Sequence, residues 1–361
     1  MSMMTPQQFS ELYYFLPRIM FGGTEWGEII DVSKKITASP SKDAEKFWPQ
    51  WFDAWNTHGN ELVSVARECH HKTAAELYLK AAAAYHWAEF MFFADPAKKE
   101  QVRAKVTDSF LHALPNHPYP CERLELRYSQ QVLPGYLLHA KKDQPSPCVI
   151  LLNGLDSAKE VELYAFCKHF LREGISCFIF DGPGQGELLG QTAMPIEFEN
   201  VFGTVFDTLR QHQAIDRNRL GVFGVSFGGY LALRCASHFP EIKAAINLSG
   251  AFDISNYLDI NPRVRHDFRY VFHAADDQEM ARIAADKLTL EGKTNPNCPV
   301  LCIHGENDAV FPMKNCQLIK DWIGESNVSM LEYPQEAHVC QHYFHDYLPK
   351  AANWLAKLIC P

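Results

Sequence analysis

Leu220-Gly221-Val222-Phe223-Gly224-Val225-Ser226-Phe227-Gly228-Gly229 is the stretch on which the reading of the whole chain turns. An apolar run stops at a serine and passes directly into residues that suit a helix, roughly Gly229 to Phe239. Gly224 and Gly228 flank Ser226 in the G-x-S-x-G pattern of a nucleophile elbow. A serine on so sharp a turn sits on strained backbone. The residues two before and two after it must lack a Cβ if the strand and the helix are to pass one another. The turn lifts the hydroxyl off the carboxyl edge of a sheet, and the first N–H groups of the helix face any negative charge that develops beside it.

A serine hydroxyl is a weak nucleophile at neutral pH and needs a base, which in turn needs an orienting acid. Two residues follow in the order serine, acid, histidine. Asp308 lies in His304-Gly305-Glu306-Asn307-Asp308, and His338 in Pro334-Gln335-Glu336-Ala337-His338, each just beyond a predicted strand. Glu306 shares the acid's loop; Asp308 is preferred because it stands further from the strand end and has room to turn towards a histidine. His342 and His345 fall on the next predicted helix and are read as structural. A tetrahedral oxyanion needs donors already in place. The N–H of Phe227 is one, and the loop Asn153-Gly154-Leu155-Asp156 after the strand Cys148 to Leu152 supplies the other, from Leu155 or Asp156.

Outward from this centre, short apolar strands alternate with helices. Two strands are expected over Glu122–Gln131 and Val132–Ala140, with a turn near Pro134-Gly135. Further strands cover 148–152, 176–180, the run ending at Ser226, 244–248, 300–304 and 328–333. That pattern predicts an α/β protein with a mostly parallel eight-stranded sheet covered on both faces. About fifty residues between Leu248 and Val300 fit no strand. We read 253–295 as a helical lid insertion above the carboxyl edge, where ligands bind in open sheets. Tyr257, Asp259 and Phe272 from this region, with Asp156, are candidate substrate-binding residues. Residues 1–118 read as helix throughout, with Phe9, Leu12, Tyr13, Leu16 and Met20 at helical spacing, as are Phe47, Trp51, Phe52 and Trp55. Domains over 1–118 and 119–361 follow.

Composition narrows the partners. A net charge of −9 offers no basic face to nucleic acid or to acidic lipid. Eleven cysteines, odd in number and without a C-x-x-C, suit reduced thiols in a cytoplasmic protein. The N-terminal residues lack the basic and apolar regions of a secretory leader. The helical stretch Ala74–Phe93 carries Glu76, Lys80, His86 and Glu89, which suits a buried helix better than a membrane span. The glycine-rich Asp181-Gly182-Pro183-Gly184-Gln185-Gly186-Glu187 fails the G-x-G-x-x-G spacing of a dinucleotide loop. No phosphate-loop or H-E-x-x-H pattern occurs, so neither a cofactor nor a metal is expected.

The chain resembles the α/β-hydrolase superfamily over roughly residues 120 to 361, on Gly224-Val-Ser226-Phe-Gly228-Gly229, His304-Gly-Glu-Asn-Asp308 and Glu336-Ala-His338. Leu152-Asn-Gly-Leu-Asp156-Ser-Ala-Lys-Glu160 and Phe180-Asp-Gly-Pro-Gly-Gln-Gly-Glu187, joined to a long helical N-terminal region, make it similar to the FrsA-like subgroup. That subgroup includes carbon–carbon bond hydrolases, among them the 2,6-dihydropseudooxynicotine hydrolases and chain-shortening hydrolases of polyketide pigment and anthraquinone biosynthesis. The resemblance implies homodimers whose N-terminal helices help to cover the active site. It also implies serine-dependent cleavage of a β-diketone of polyketide type, with a small-molecule substrate that an acyl carrier protein could deliver. An esterase or thioesterase would use the same Ser226, Asp308 and His338.

Overall fold

The computed structural model describes residues 10, 12, 13, 15–141 and 144–360. Phe9 and the N-terminal stretch read for a leader lie outside the described residues. The chain separates into two compact units: Met1–Pro118 with Glu160–Ala165, and Tyr119–Lys159 with Phe166–Pro361. Among the described residues no helix is long and apolar enough to cross a membrane.

The first unit is helical: α1 (Leu16–Phe21), α2 (Trp26–Ser33), α3 (Ala44–Ala66), α4 (His71–Glu89) and α5 (Pro96–Ala113). Phe47, Trp51 and Trp55 repeat every fourth residue, so they fall on one face of α3, and all three are buried. The Trp51 indole N–H donates to the Trp87 carbonyl at 2.7 Å. The α4–α5 turn is capped by its own residues. Asp95 accepts the N–H of Lys98 and Pro96 takes the first helical position, where a missing N–H costs nothing. Helix α4 ends earlier than the apolar pattern suggests, because Met91 turns to φ 56°.

Buried charge ties this unit together. Glu89, with no exposed side-chain surface, takes Lys99 Nζ at 2.6 Å and also accepts from Arg103. His86 stands between carboxylates, with Nδ1 3.0 Å from Glu89 and Nε2 3.2 Å from Glu162. Arg18 grips both oxygens of Glu162, one from Nη2 at 2.9 Å. Burial alone would raise the Glu89 carboxyl, but Arg103, Lys99 and His86 outweigh it and hold the group well below the ordinary carboxylate range. Residues 160–165, which the sequence assigns to the 119–361 domain, therefore belong to the helical unit. Here a π-helical turn at Lys159–Leu163 precedes α6 (Tyr164–Arg172).

The second unit carries β1 (Cys121–Tyr128), β2 (Gln131–Leu138), β3 (Ser146–Leu152), β4 (Ser176–Phe180), β5 (Ile215–Val225), β6 (Ala245–Leu248), β7 (Val300–Gly305) and β8 (Val328–Tyr333). They form one sheet in the order β1-β2-β4-β3-β5-β6-β7-β8, with the β1–β2 and β2–β4 pairs antiparallel and the remaining pairs parallel. Strands β3 to β7 bury their apolar residues on both faces, as a covered parallel sheet requires. The expected turn at Pro134-Gly135 is corrected. Both residues sit inside β2, and the reversal falls at Ser129, whose φ is 54°. Gly135 is there because a Cβ would strike the Phe178 ring of the neighbouring strand. Register matters most at the carboxyl edge: Leu152 pairs with Gly224, and Val225 with Leu248. Between β6 and β7 lie two helices, α9 (Pro262–Phe272) and α10 (Asp277–Lys287). The helices flanking the strands are α7 (Phe198–Gln211), α8 (Phe227–His238), α11 (Lys314–Ile323) and α12 (Phe344–Ile359).

Candidate active site

Ser226 links β5 to α8 at φ 57° and ψ −127°, a conformation that L-residues adopt only under constraint. Both flanking glycines are needed. A Cβ on Gly224 would run into the Gly228 carbonyl, and one on Gly228 into the carbonyls of Leu152 and Asn153. Ser226 itself is half-buried.

His338 Nε2 lies 2.7 Å from Ser226 Oγ, and its Nδ1 lies 2.7 Å from Asp308 Oδ2. The three side chains predicted from sequence are thus brought together. Asp308 is buried and its other oxygen accepts the N–H groups of Val310 and Phe311 at 2.8 and 2.9 Å. Burial would raise this carboxyl; the facing His338, His304 and the Phe311 N–H prevail and hold it below its ordinary value. An ionised Asp308 fixes the His338 tautomer that leaves Nε2 free to take the serine proton. Glu306, the alternative acid, is exposed.

The loop bearing His338 is itself strained. Val339 and Cys340 have φ of 68° and 47°. Ser249 Oγ accepts the Val339 N–H at 3.0 Å, and the Tyr347 hydroxyl donates to the Val339 carbonyl at 3.0 Å. These two residues hold the His338 loop in place, and sequence reasoning missed both. His304 was quoted only as part of the acid's motif. It is fully buried, with Nε2 2.7 Å from the Phe311 carbonyl and 3.4 Å from Asp308 Oδ2. Burial lowers its proton affinity, and Nε2 donates to that carbonyl.

The loop expected to supply the second oxyanion donor runs beside Ser226. A Cβ on Gly154 would lie 3.4 Å from Ser226 Cβ. Among the described residues, the N–H groups of Phe227 and Leu155 meet no acceptor. Phe272 packs edge-on against Phe227, with centroids 5.8 Å apart. Tyr257 is buried and gives its hydroxyl to Asp277 at 2.8 Å, and its ring packs on Phe268. Asp259 is exposed on a short turn, and Asp156 is half-buried in the oxyanion loop.

Residues 47–360 match the profile of the family described as "Esterase FrsA-like". The chain belongs to the FrsA-like family. It is an α/β hydrolase in fold and a hydrolase by kinship. It is 30% identical over 348 residues to the 2,6-dihydropseudooxynicotine hydrolase of Paenarthrobacter nicotinovorans, covering 94% of this chain and 90% of that one. The solved structure of the 2,6-dihydroxy-pseudo-oxynicotine hydrolase superposes with a TM-score of 0.86 at 25% identity, covering 95% of each chain. The 20-hydroxy-prefusarin hydrolase FUS2 of Gibberella moniliformis is 29% identical, covering 68% of this FrsA-like chain and 60% of its own length.

Proposed function

We propose that this FrsA-like chain is a serine-dependent hydrolase that cleaves a carbon–carbon bond in a β-diketone of polyketide type. The observation that carries the reading is the pair of 2.7 Å contacts that join Ser226 Oγ to His338 and His338 to Asp308. His338 Nε2 takes the Ser226 proton as Oγ attacks one ketone carbon. The resulting oxyanion is received by the N–H groups of Phe227 and Leu155, both otherwise without acceptors among the described residues. Collapse breaks the bond to the adjacent carbon. The departing electron pair is delocalised onto the second carbonyl as an enolate, which takes the proton held by His338. Water then gives a proton to His338 and attacks the acyl-serine, and the acid leaves as Oγ recovers its proton. One water is consumed, and the products are a carboxylic acid and a ketone.

The choice of a β-diketone is supported by the subgroup's carbon–carbon hydrolases and by kinship to the two named hydrolases over two thirds or more of this chain. The fungal enzyme is longer, so its substrate is only a guide to chemical class. An ester or thioester, with a better leaving group, is the second reading that the same three residues support. A fluorophosphonate probe should label Ser226 and nothing in Ser226→Ala. kcat/KM measured on a β-diketone and on a matched aryl ester then separates the two. Rapid ester turnover with the diketone untouched replaces the first reading with the second.

A further inference from the structure

The glycine-rich loop at 181–187 has no dinucleotide spacing, and the three residues at the centre of the site make no use of it. Its position gives it another task. Gln185 is buried, and its Nε2 donates to the Gly154 carbonyl at 2.8 Å and to the Asn153 carbonyl at 3.3 Å. Gly154 C=O belongs to the same planar unit as the Leu155 N–H. In a trans peptide the two point in opposite directions, and no peptide among the described residues is cis. A donor that fixes the carbonyl therefore fixes where the N–H points, and it polarises the amide so that the N–H becomes a stronger donor.

The clamp has a foundation of its own. Asn153 Nδ2 donates to Asp181 Oδ1 at 2.9 Å. Asp181 is fully buried, and its second oxygen takes Lys159 Nζ at 2.6 Å and the Glu187 N–H at 3.1 Å. Lys159, also fully buried, reaches Glu187 at 2.5 Å. Gly186 has φ +47° and no space for a Cβ, which would strike the Asp181 carboxyl, so the loop can close over that group only with glycine there. Two side chains of one loop, Asp181 and Gln185, thus hold two successive residues of another.

We propose that Gln185 is a positioning residue for the oxyanion hole, holding the Gly154–Leu155 peptide so that the Leu155 N–H is aimed before substrate arrives. The proposal rests on the reading of Leu155 as a donor. It makes the loop's effect one on the transition state, where charge is on oxygen, and leaves ground-state binding alone.

Gln185→Met keeps the length and apolar bulk of the side chain and removes the donor. With p-nitrophenyl butyrate, kcat should fall by about 10- to 100-fold, short of the 10²- to 10³-fold typical of deleting an oxyanion donor, while KM moves less than about two-fold. A trifluoromethyl ketone, which forms an oxyanion adduct with a serine, should lose affinity by the same factor as kcat. The matched methyl ketone should bind as before. Gln185→Glu gives a readout that packing alone would not move. A protonated carboxyl can donate to Gly154, whereas a carboxylate faces two carbonyls. Its activity relative to wild type should therefore rise as pH falls from 8 to 5, and this variant decides the matter if Gln185→Met does not fold. A folded Gln185→Met with unchanged kcat, or a loss confined to KM, overturns the proposal, as does a pH-independent Gln185→Glu ratio. Replacing Leu155 by its α-hydroxy acid, which exchanges the N–H for an ester oxygen, separates the two layers of the argument. If that change costs about 10²-fold or more in kcat and Gln185→Met costs nothing, the donor stands and the clamp falls. If the ester is silent, the Leu155 donor itself is wrong, and the clamp falls with it.

Discussion

The two units of this chain each contain a buried polar assembly, and the assemblies are built for opposite ends. In the helical unit, Glu89 is enclosed by Lys99, Arg103 and His86, and Glu162 by Arg18 and His86, with carboxylate and cation side chains facing one another. At the sheet edge, Asp308 is as deeply buried, yet the chain it begins runs outward through His338 to a half-buried serine hydroxyl. Both regions hold their carboxyl groups below the ordinary range, so a perturbed carboxylate does not by itself mark a reactive site. Clustered backbone strain separates them, since among the described non-glycine residues of the helical unit only Met91 has a positive φ. Ser226, Ser249, Val339 and Cys340 all have positive φ, and the N–H groups of Phe227 and Leu155 have no acceptor among the described residues. The helical cluster spends its carboxylates on holding helices together. The sheet edge keeps two donors and a hydroxyl in reserve.

The comparison breaks first at the serine. Ser226→Ala should lower kcat by about 10⁶-fold, the scale seen when a serine nucleophile is removed, and leave the urea midpoint near that of wild type. Residual turnover within 100-fold of wild type would mean that another group attacks. Asp308→Asn should cost about 10⁴-fold in kcat, because a neutral amide no longer selects the His338 tautomer with Nε2 free. Glu306→Ala, on the exposed neighbour, should leave kcat within two-fold. A reversal of those two results would make Glu306 the acid.

In the helical unit the large effect should appear in stability. Glu89→Gln leaves Lys99 and Arg103 buried beside a neutral amide, and breaking a buried pair in this way costs about 3–5 kcal/mol. Equilibrium urea unfolding followed by tryptophan fluorescence reads the loss directly. The pH dependence has a definite sign. Folding lowers the Glu89 carboxyl from its ordinary value of 4.5. The stability that this contributes is complete above pH 4.5 and is lost as the pH falls below it, because the unfolded chain takes up the proton first. The wild-type urea midpoint should fall below pH 4.5 more steeply than that of Glu89→Gln. Parallel slopes would place the acid sensitivity elsewhere.

Much of the site could be read from sequence because its chemistry is local. The glycines around Ser226 are dictated by contacts within one turn, and the loops carrying Asp308 and His338 each follow an apolar strand. The clamp at Gln185 was hidden because it joins loops some thirty residues apart through backbone carbonyls, which leave no trace in side-chain patterning. Residues 160–165 were misplaced for a similar reason, since the pairing of Arg18 and His86 with Glu162 follows no local period. Pro134-Gly135 gave a false turn signal, because the demand on Gly135 comes from Phe178 on a neighbouring strand.

The smallest effect tests whether the insertion between β6 and β7 contributes polar contacts to the chemistry. Tyr257 reads from sequence as a substrate-binding residue, yet its hydroxyl is committed to the Asp277 carboxylate and the Arg265 carbonyl. Tyr257→Phe removes those bonds and keeps the ring against Phe268, so it should cost about 1.5–3 kcal/mol of stability, as for a hydrogen bond to a charged group. With the oxyanion loop, Phe227 and the three central residues undisturbed, kcat and KM on p-nitrophenyl butyrate should each stay within two-fold. A rise in KM of ten-fold or more at unchanged stability would show that the hydroxyl leaves Asp277 to meet the substrate. The insertion would then belong with the reactive edge and no longer with the passive cluster of the helical unit.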